Sequence, residues 1–539
     1  MAYPLTIKQA ITDTKIKFSL WVLVLAAIIV IGSFYLIGYL NSAITKQILF
    51  ASSLQYRAEY IAQTRGVGLL AATQEALFPT ASVFVGGGGE AQGIPVLTYH
   101  SILSNKNDYA VATTSTFEGG NVSLANFKQQ MFALKRAGWQ TVSYEDLEAF
   151  LRGEKKLPEK SFVITFDDGA KNSFYPVDPI LAALDYTAVA FILPGHSLGM
   201  RSTYYLNRDD LEIMHETGRW TIESHGQDIH VSLPTDGTGE LKDNALSNRM
   251  WIPLLGRLET HEEYQARIEH DLHISKQNLE EALGISVTGF AFPFGDYGQN
   301  ASNDSRGQET ILTAARKNYS LAFYQNWNKG NFTFNYPNPN TFLVKRIPVG
   351  ADWGAEKLMA VLNAASPKPI PYFETISSTS GWENDWGSST IENGMLHLRA
   401  ATSTTGALSV LDGTYPWANY MVEMDASWEK GFVMILFNMQ SEKIGRACVF
   451  SRDGTVQLQS RTADDILILR ETKVKTLKEG DHRLGAVSTG TTTACVVDGT
   501  YVIDATLPPA SGGIGVEAWA PELGEARAFI KNVSVTERK

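Results

Sequence analysis

The chain has 539 residues, too many for one hydrophobic core, so two or three domains are expected. Hydrophobic residues make up 44% and charged residues 19%, which excludes an intrinsically disordered chain. With 46 Lys and Arg against 57 Asp and Glu the formal net charge is −11, and no aromatic-and-basic stripe relieves it, which argues against nucleic acid as a partner.

In chain order, Lys8, Lys15 and Lys17 precede the charge-free apolar run Phe18–Leu40, which as a helix is about 34 Å long, enough to cross a bilayer. Residues 18–40 are therefore expected to be a transmembrane anchor, with 1–17 as a cytoplasmic tail and everything later extracellular or periplasmic. A cleaved signal peptide is the alternative, but the run exceeds a usual signal core and no clear A-x-A site follows. Residues 41–88 read as a stalk ending in the glycine hinge Gly86–Gly89.

From Ile94 short strands and helices alternate. Pro95–Tyr99 reads as a strand, Leu124–Ala137 as an amphipathic helix, Thr141–Ser143 as a short strand and Tyr144–Arg152 as a helix. Ser161–Phe166 is a buried strand, Val177–Leu184 a helix, Ala188–Ile192 a strand and Trp220–Ile222 another. A long helix His261–Leu283, a strand before Pro293 and helices Glu309–Lys317 and Ala355–Asn363 complete an α/β domain over 89–365, with parallel strands and outer helices. The Pro-rich stretch 366–372 is a stiff linker. Over 373–539 alternating runs such as Met395–Arg399, Tyr420–Met424, Val433–Phe437, Thr455–Ser460 and Tyr501–Ala505 predict an all-β sandwich or jelly roll. Cys448 and Cys495 lie in two of its strands, as a disulfide in an oxidising compartment or as two buried thiols. Trp382, Trp386, Trp417, Tyr420, Trp428 and Trp519 either stack on sugars or fill the core of this domain.

Three clusters carry chemistry. Thr165-Phe166-Asp167-Asp168-Gly169 ends a buried strand, so two carboxylates leave a strand end in different directions, one able to bind a metal while the other faces its water; a surface turn is the plain alternative. Glu223-Ser224-His225-Gly226-Gln227-Asp228-Ile229-His230 places two imidazoles around a turn, and two His with one carboxylate form a facial set with open positions. Phe292-Pro293-Phe294-Gly295 is a sharp turn whose backbone N–H groups suit a developing oxyanion. His270 and His273, spaced along the long helix, are read as a solvated face.

In this order and spacing the residues resemble the polysaccharide deacetylase family, the NodB-homology domain of carbohydrate esterase family four, over roughly Gly93 to Ala365. The opening Ile94-Pro95-Val96-Leu97-Thr98-Tyr99-His100 resembles the subgroup acting on poly-N-acetylglucosamine, and the ending Gly512–Trp519 resembles concanavalin-like jelly rolls. The resemblance implies a deacetylase (β/α) barrel with Asp167 as catalytic base, Asp168, His225 and His230 as metal ligands, and His100 as the proton donor. It implies a divalent metal, zinc with cobalt, nickel or iron as alternatives. Many members carry an arginine that orients the base; here Ala291 occupies its place, so tuning of the base by a guanidinium is expected to be absent. The family's late Leu-x-His motif is missing, with Leu343–Val349 near its place, and Trp327 keeps only the ring of the tryptophan motif, either to line the acetyl pocket or to pack in the core. The activity implied is hydrolysis of N-acetyl groups on an acetylated cell-surface polysaccharide. An O-acetyl esterase and an inactive glycan-binding surface protein are the alternatives.

Overall fold

The computed structural model describes residues 89–103, 121–199, 204–299, 302–326, 332–377, 381–441, 443–463, 465–477 and 480–538. The expected tail, anchor and stalk (1–88) and Trp327 lie outside these residues. Among the described residues no helix is long and apolar enough to cross a membrane.

Seven parallel strands close into a barrel: β1 (Val96–Tyr99), β2 (Ser161–Phe166), β3 (Ala188–Ile192), β4 (Trp220–Ser224), β5 (Gly289–Ala291), β6 (Leu321–Gln325) and β7 (Leu343–Pro348). Each pairs with its successor, and β7 returns to β1 through the register Leu97↔Ile347, while β1 meets β2 through Tyr99↔Phe166. The strand Gln140–Thr141 extends the sheet beside the start of β2. Strands buried on both faces need unbroken apolar runs, and every residue of Ser161–Phe166 is buried.

Helices α1 (Leu124–Arg136), α2 (Tyr144–Leu151), α3 (Asp178–Leu184), α4 (Arg208–Glu216), α5 (His261–Leu283), α6 (Gly307–Asn318) and α7 (Ala355–Ala365) surround the barrel. Their starts are set locally. Ser123 and Ser143 accept the N–H of Asn126 and Asp146, each at 3.1 Å, and Thr260 with Glu263 forms a capping box on α5. That long helix ends at Gly284 in the left-handed conformation (φ 66°), where a glycine carries no Cβ penalty.

Three elements escape the sequence pattern for identifiable reasons. In α4, Arg-Asp-Asp-Leu-Glu-Ile-Met-His-Glu, only Leu211 and Met214 are buried apolar positions. Strand β6 follows α6 after only two residues, and β7 carries Lys345 and Arg346 in its middle, which a run read for apolar residues passes over.

Residues 372–537 form two antiparallel sheets packed face to face. Trp382, Trp417, Tyr420 and Trp428 are buried between them, so these rings fill the core. Cys448 in Gly445–Ser451 and Cys495 in Thr492–Val497 form a disulfide that joins the two sheets. The sandwich is fused to the barrel by a shared core: Leu408, Val410 and Leu436 cluster with Phe332, Ile347 and Leu362.

Candidate active site and metal centre

All the functional side chains sit at the carboxyl ends of the barrel strands, where this class of fold keeps its reactive groups. Asp167 and Asp168 follow β2. Asp168 has the left-handed backbone conformation (φ 71°), rare for a residue with a side chain, so the two neighbouring carboxylates turn apart. Asp167 enters the barrel and is fully buried, its N–H donating to Tyr99 O at 3.1 Å.

The loop after β4 brings His225 and His230 to Asp168. Asp168 Oδ1 lies 3.5 Å from His225 Nε2 and 3.6 Å from His230 Nε2, and one ligand atom from each residue falls within 4.8 Å of the others. These separations are too long for good hydrogen bonds, and the buried Asp168 Oδ1 has no hydrogen-bond partner among the described residues. The N–H of His225 Nδ1 is spoken for by Ala291 O at 2.8 Å, which fixes the tautomer that turns Nε2 inward. Two imidazole nitrogens and an orphaned carboxylate oxygen facing one point fit a divalent cation.

The histidine loop is tied from behind. Asp271 on α5 accepts the N–H groups of Gln227 and Asp228, each at 2.9 Å. Gly226 (φ 90°) allows the turn, since a Cβ there would come 2.6 Å from Ile229 and 3.2 Å from Asp271. His270 and His273, on either side of Asp271, are exposed.

The expectation that no guanidinium tunes the base is overturned. Arg346 of β7, fully buried, reaches past the intervening β1 and grips Asp167 with both amino groups, Nη1–Oδ1 at 2.6 Å and Nη2–Oδ2 at 2.8 Å. The arginine that the motif proline lacks is supplied from another strand. Gln325 at the end of β6 adds its amide 3.5 Å from Asp167 Oδ2. Burial opposes the charge on Asp167, but Arg346, then His225 and His100, hold its carboxyl below the ordinary value. For Asp168, burial is likewise outweighed by His225, His230 and His100, and its carboxyl lies far below the ordinary range. His225 is raised: burial opposes its charge, and Asp167 and Asp168 favour it more strongly. Burial lowers His230.

His100, directly after β1, places Nε2 3.9 Å from Asp167 Oδ2, and its buried Nδ1 has no hydrogen-bond partner among the described residues. After β5, Pro293 begins a tight turn in which Phe294 is left-handed (φ 59°) and its ring stacks on His230 at 4.4 Å. The N–H groups of Gly295 and Asp296 are used by Phe292 O and Pro293 O, so these two do not serve as oxyanion donors. On the opposite rim His196 stacks on Tyr205 at 4.7 Å, and Tyr204 and Tyr205 lie close enough to Asp168 to feel its charge.

Residues 154–309 match the family model for polysaccharide deacetylase. The poly-beta-1,6-N-acetyl-D-glucosamine N-deacetylase of Escherichia coli K12 is 25% identical over 217 residues, 38% of this chain and 31% of its own. The protein of the same name from Staphylococcus aureus is 26% identical over 208 residues, 37% of this chain and 63% of its own. The chain thus spans less than two thirds of either relative. A solved de-N-acetylase from Aggregatibacter actinomycetemcomitans aligns at 20% identity and a TM-score of 0.41, covering 49% of this chain and 98% of that one. The segment that matches the polysaccharide deacetylase family model, residues 154–309, is the one that holds Asp167, Asp168, His225 and His230.

Proposed function

We propose that the protein is a metal-dependent N-deacetylase of a polymer containing N-acetylglucosamine. The observation that carries this reading is the Asp168–His225–His230 triad beside a buried carboxylate, Asp167, held ionised by Arg346. A divalent ion in the triad, zinc by the donor set with cobalt, nickel or iron as alternatives, supplies Lewis-acid polarisation of the acetyl carbonyl and lowers the pKa of water. Asp167 accepts the proton of the attacking water as its oxygen bonds to the acetyl carbon. The carbon–nitrogen bond then breaks, and His100 gives the departing nitrogen its proton, since an amide nitrogen leaves poorly as an anion. The products are acetate and a free amine on the sugar. Phe294, stacked on His230, walls the acetyl side of the site.

The names of the relatives support a poly-N-acetylglucosamine as substrate. An outward-facing location, held by the run Phe18–Leu40, is supported by the lysines before it and by the Cys448–Cys495 disulfide, a bond that persists in oxidising compartments. The test is acetate release from oligomers of β-1,6-linked N-acetylglucosamine with and without a chelator. Release that stops with chelator and returns with added zinc is expected. Release from acetyl-xylan alone would replace the reading with an O-esterase, and release that ignores the chelator would remove the metal from it.

A further inference from the structure

We propose that the seam between barrel and sandwich is a second sugar-binding position for the polymer, walled by both domains; it rests on the N-deacetylase reading and adds where the chain beyond the reacting unit is held. A cavity of ≈ 340 Å³ opens there, lined by Asn326, Trp353 and Lys357 from the barrel and by Glu383, Val410 and Asp412 from the sandwich. That volume falls at the lower end of the range of about 300–1,000 Å³ found for ligand sites.

Its position ties it to the chemistry. Asn326 directly follows Gln325, whose amide lies 3.5 Å from Asp167, and Arg346, which also lines the cavity, holds the same carboxylate. The cavity therefore borders the strands that support Asp167, while Asp168, His225 and His230 are not in its lining. It is also built rather than incidental. The apolar core shared by Val410, Leu436, Phe332 and Ile347 fixes the two walls together. Asp412, buried, accepts the N–H of Thr333 at 3.1 Å and of Gly413 at 2.8 Å, which pins the barrel segment entering the seam.

The lining selects the occupant. The Trp353 ring, with Lys357 Nζ 5.9 Å from its centroid, and Val410 give an apolar floor, while Asn326, Lys357 and Glu383 give a polar edge with both signs of charge. An anion meets the Glu383 carboxylate and a purely apolar guest meets the polar edge. A neutral pyranose, apolar on its face and hydroxylated at its rim, satisfies both. The sandwich then acts as half of a substrate groove rather than as a detached binding module.

The experiment is calorimetric titration of the metal-loaded full chain, carrying Asp167→Asn to stop turnover, with the dimer and the hexamer of β-1,6-linked N-acetylglucosamine. The hexamer is expected to bind at least about tenfold more tightly than the dimer. Trp353→Ala and, independently, Glu383→Ala on the sandwich should each erase that advantage and leave dimer affinity unchanged, while Trp353→Phe should keep it. A hexamer advantage that survives both substitutions, or is absent from the parent, overturns the proposal. A chain that shows the advantage yet releases no acetate from any glycan keeps the seam and loses the N-deacetylase reading.

Discussion

Asp167 shows how far a single residue can be read from its neighbours in sequence. Its role follows from a strand end and an adjacent Asp168, both visible locally. Its charge state does not, because the guanidinium that sets it lies 179 residues away and the amide of Gln325 lies 158 residues away. Arg346 stands in a strand where nothing local asks for a buried cation, and only barrel closure, which pairs β1 with both β7 and β2, brings β7 near β2. A base must be deprotonated to work, and Arg346 lowers the pKa of Asp167, which extends activity toward acid pH. Arg346→Met removes that effect, so the acid limb of the kcat/KM profile should move to higher pH. Breaking a buried pair also costs about 3–5 kcal/mol of stability, so a thermal melt belongs beside the profile. An unmoved acid limb in a folded variant would assign that limb to another group. His100→Ala should cost about two to four decades on the amide but much less on an activated acetyl ester, whose leaving group needs no proton. Equal losses on both substrates would make His100 structural.

At the scale of elements, the long helix α5 is legible in the sequence as His261–Leu283, and its exposed histidines as a solvated face. What the helical pattern hides is that Asp271, between those histidines, points the other way and accepts two N–H groups from the histidine loop. A polar residue on an amphipathic helix looks like surface until the loop it supports is in place. The short strand β6 and the basic strand β7 were hidden for the related reason that tertiary pairing, not composition, makes them strands. Asp271 touches no ligand, but it fixes the backbone between His225 and His230, and such supports are commonly worth about 10–100-fold in metal affinity. Asp271→Ala should weaken zinc binding by that factor in a chelator competition, while Asp271→Asn, which keeps one acceptor oxygen but sets its amide N–H against the second loop N–H, should restore only part of it. Zinc affinity unchanged in the alanine variant would show that the loop holds itself.

At the scale of the whole molecule, the two-domain architecture follows from a change in hydrophobic period near the Pro-rich stretch, and that change is plain in the sequence. The union of the domains is not, because the residues that make it, Phe332 and Ile347 on one side and Val410 and Leu436 on the other, each look like ordinary core positions of their own domain. Nor could cysteine spacing choose between a disulfide and two thiols; the choice depends on which strands face each other across the sandwich. The Cys448–Cys495 bridge closes a segment with a sequence separation of 47. Closing a loop of that length removes unfolded-state entropy worth about 4 kcal/mol in the chain-entropy model. The double variant Cys448→Ser, Cys495→Ser should therefore lower the midpoint of the sandwich's unfolding transition in denaturant. The shared core adds a second consequence, since a barrel and sandwich joined through buried apolar side chains should not melt independently. If the two domains fold as one unit, removing the bridge should bring down the loss of zinc together with the loss of sandwich structure, at one shifted midpoint. Two separated transitions, with zinc retained through the first, would show instead that the sandwich unfolds on its own and leaves the active site intact.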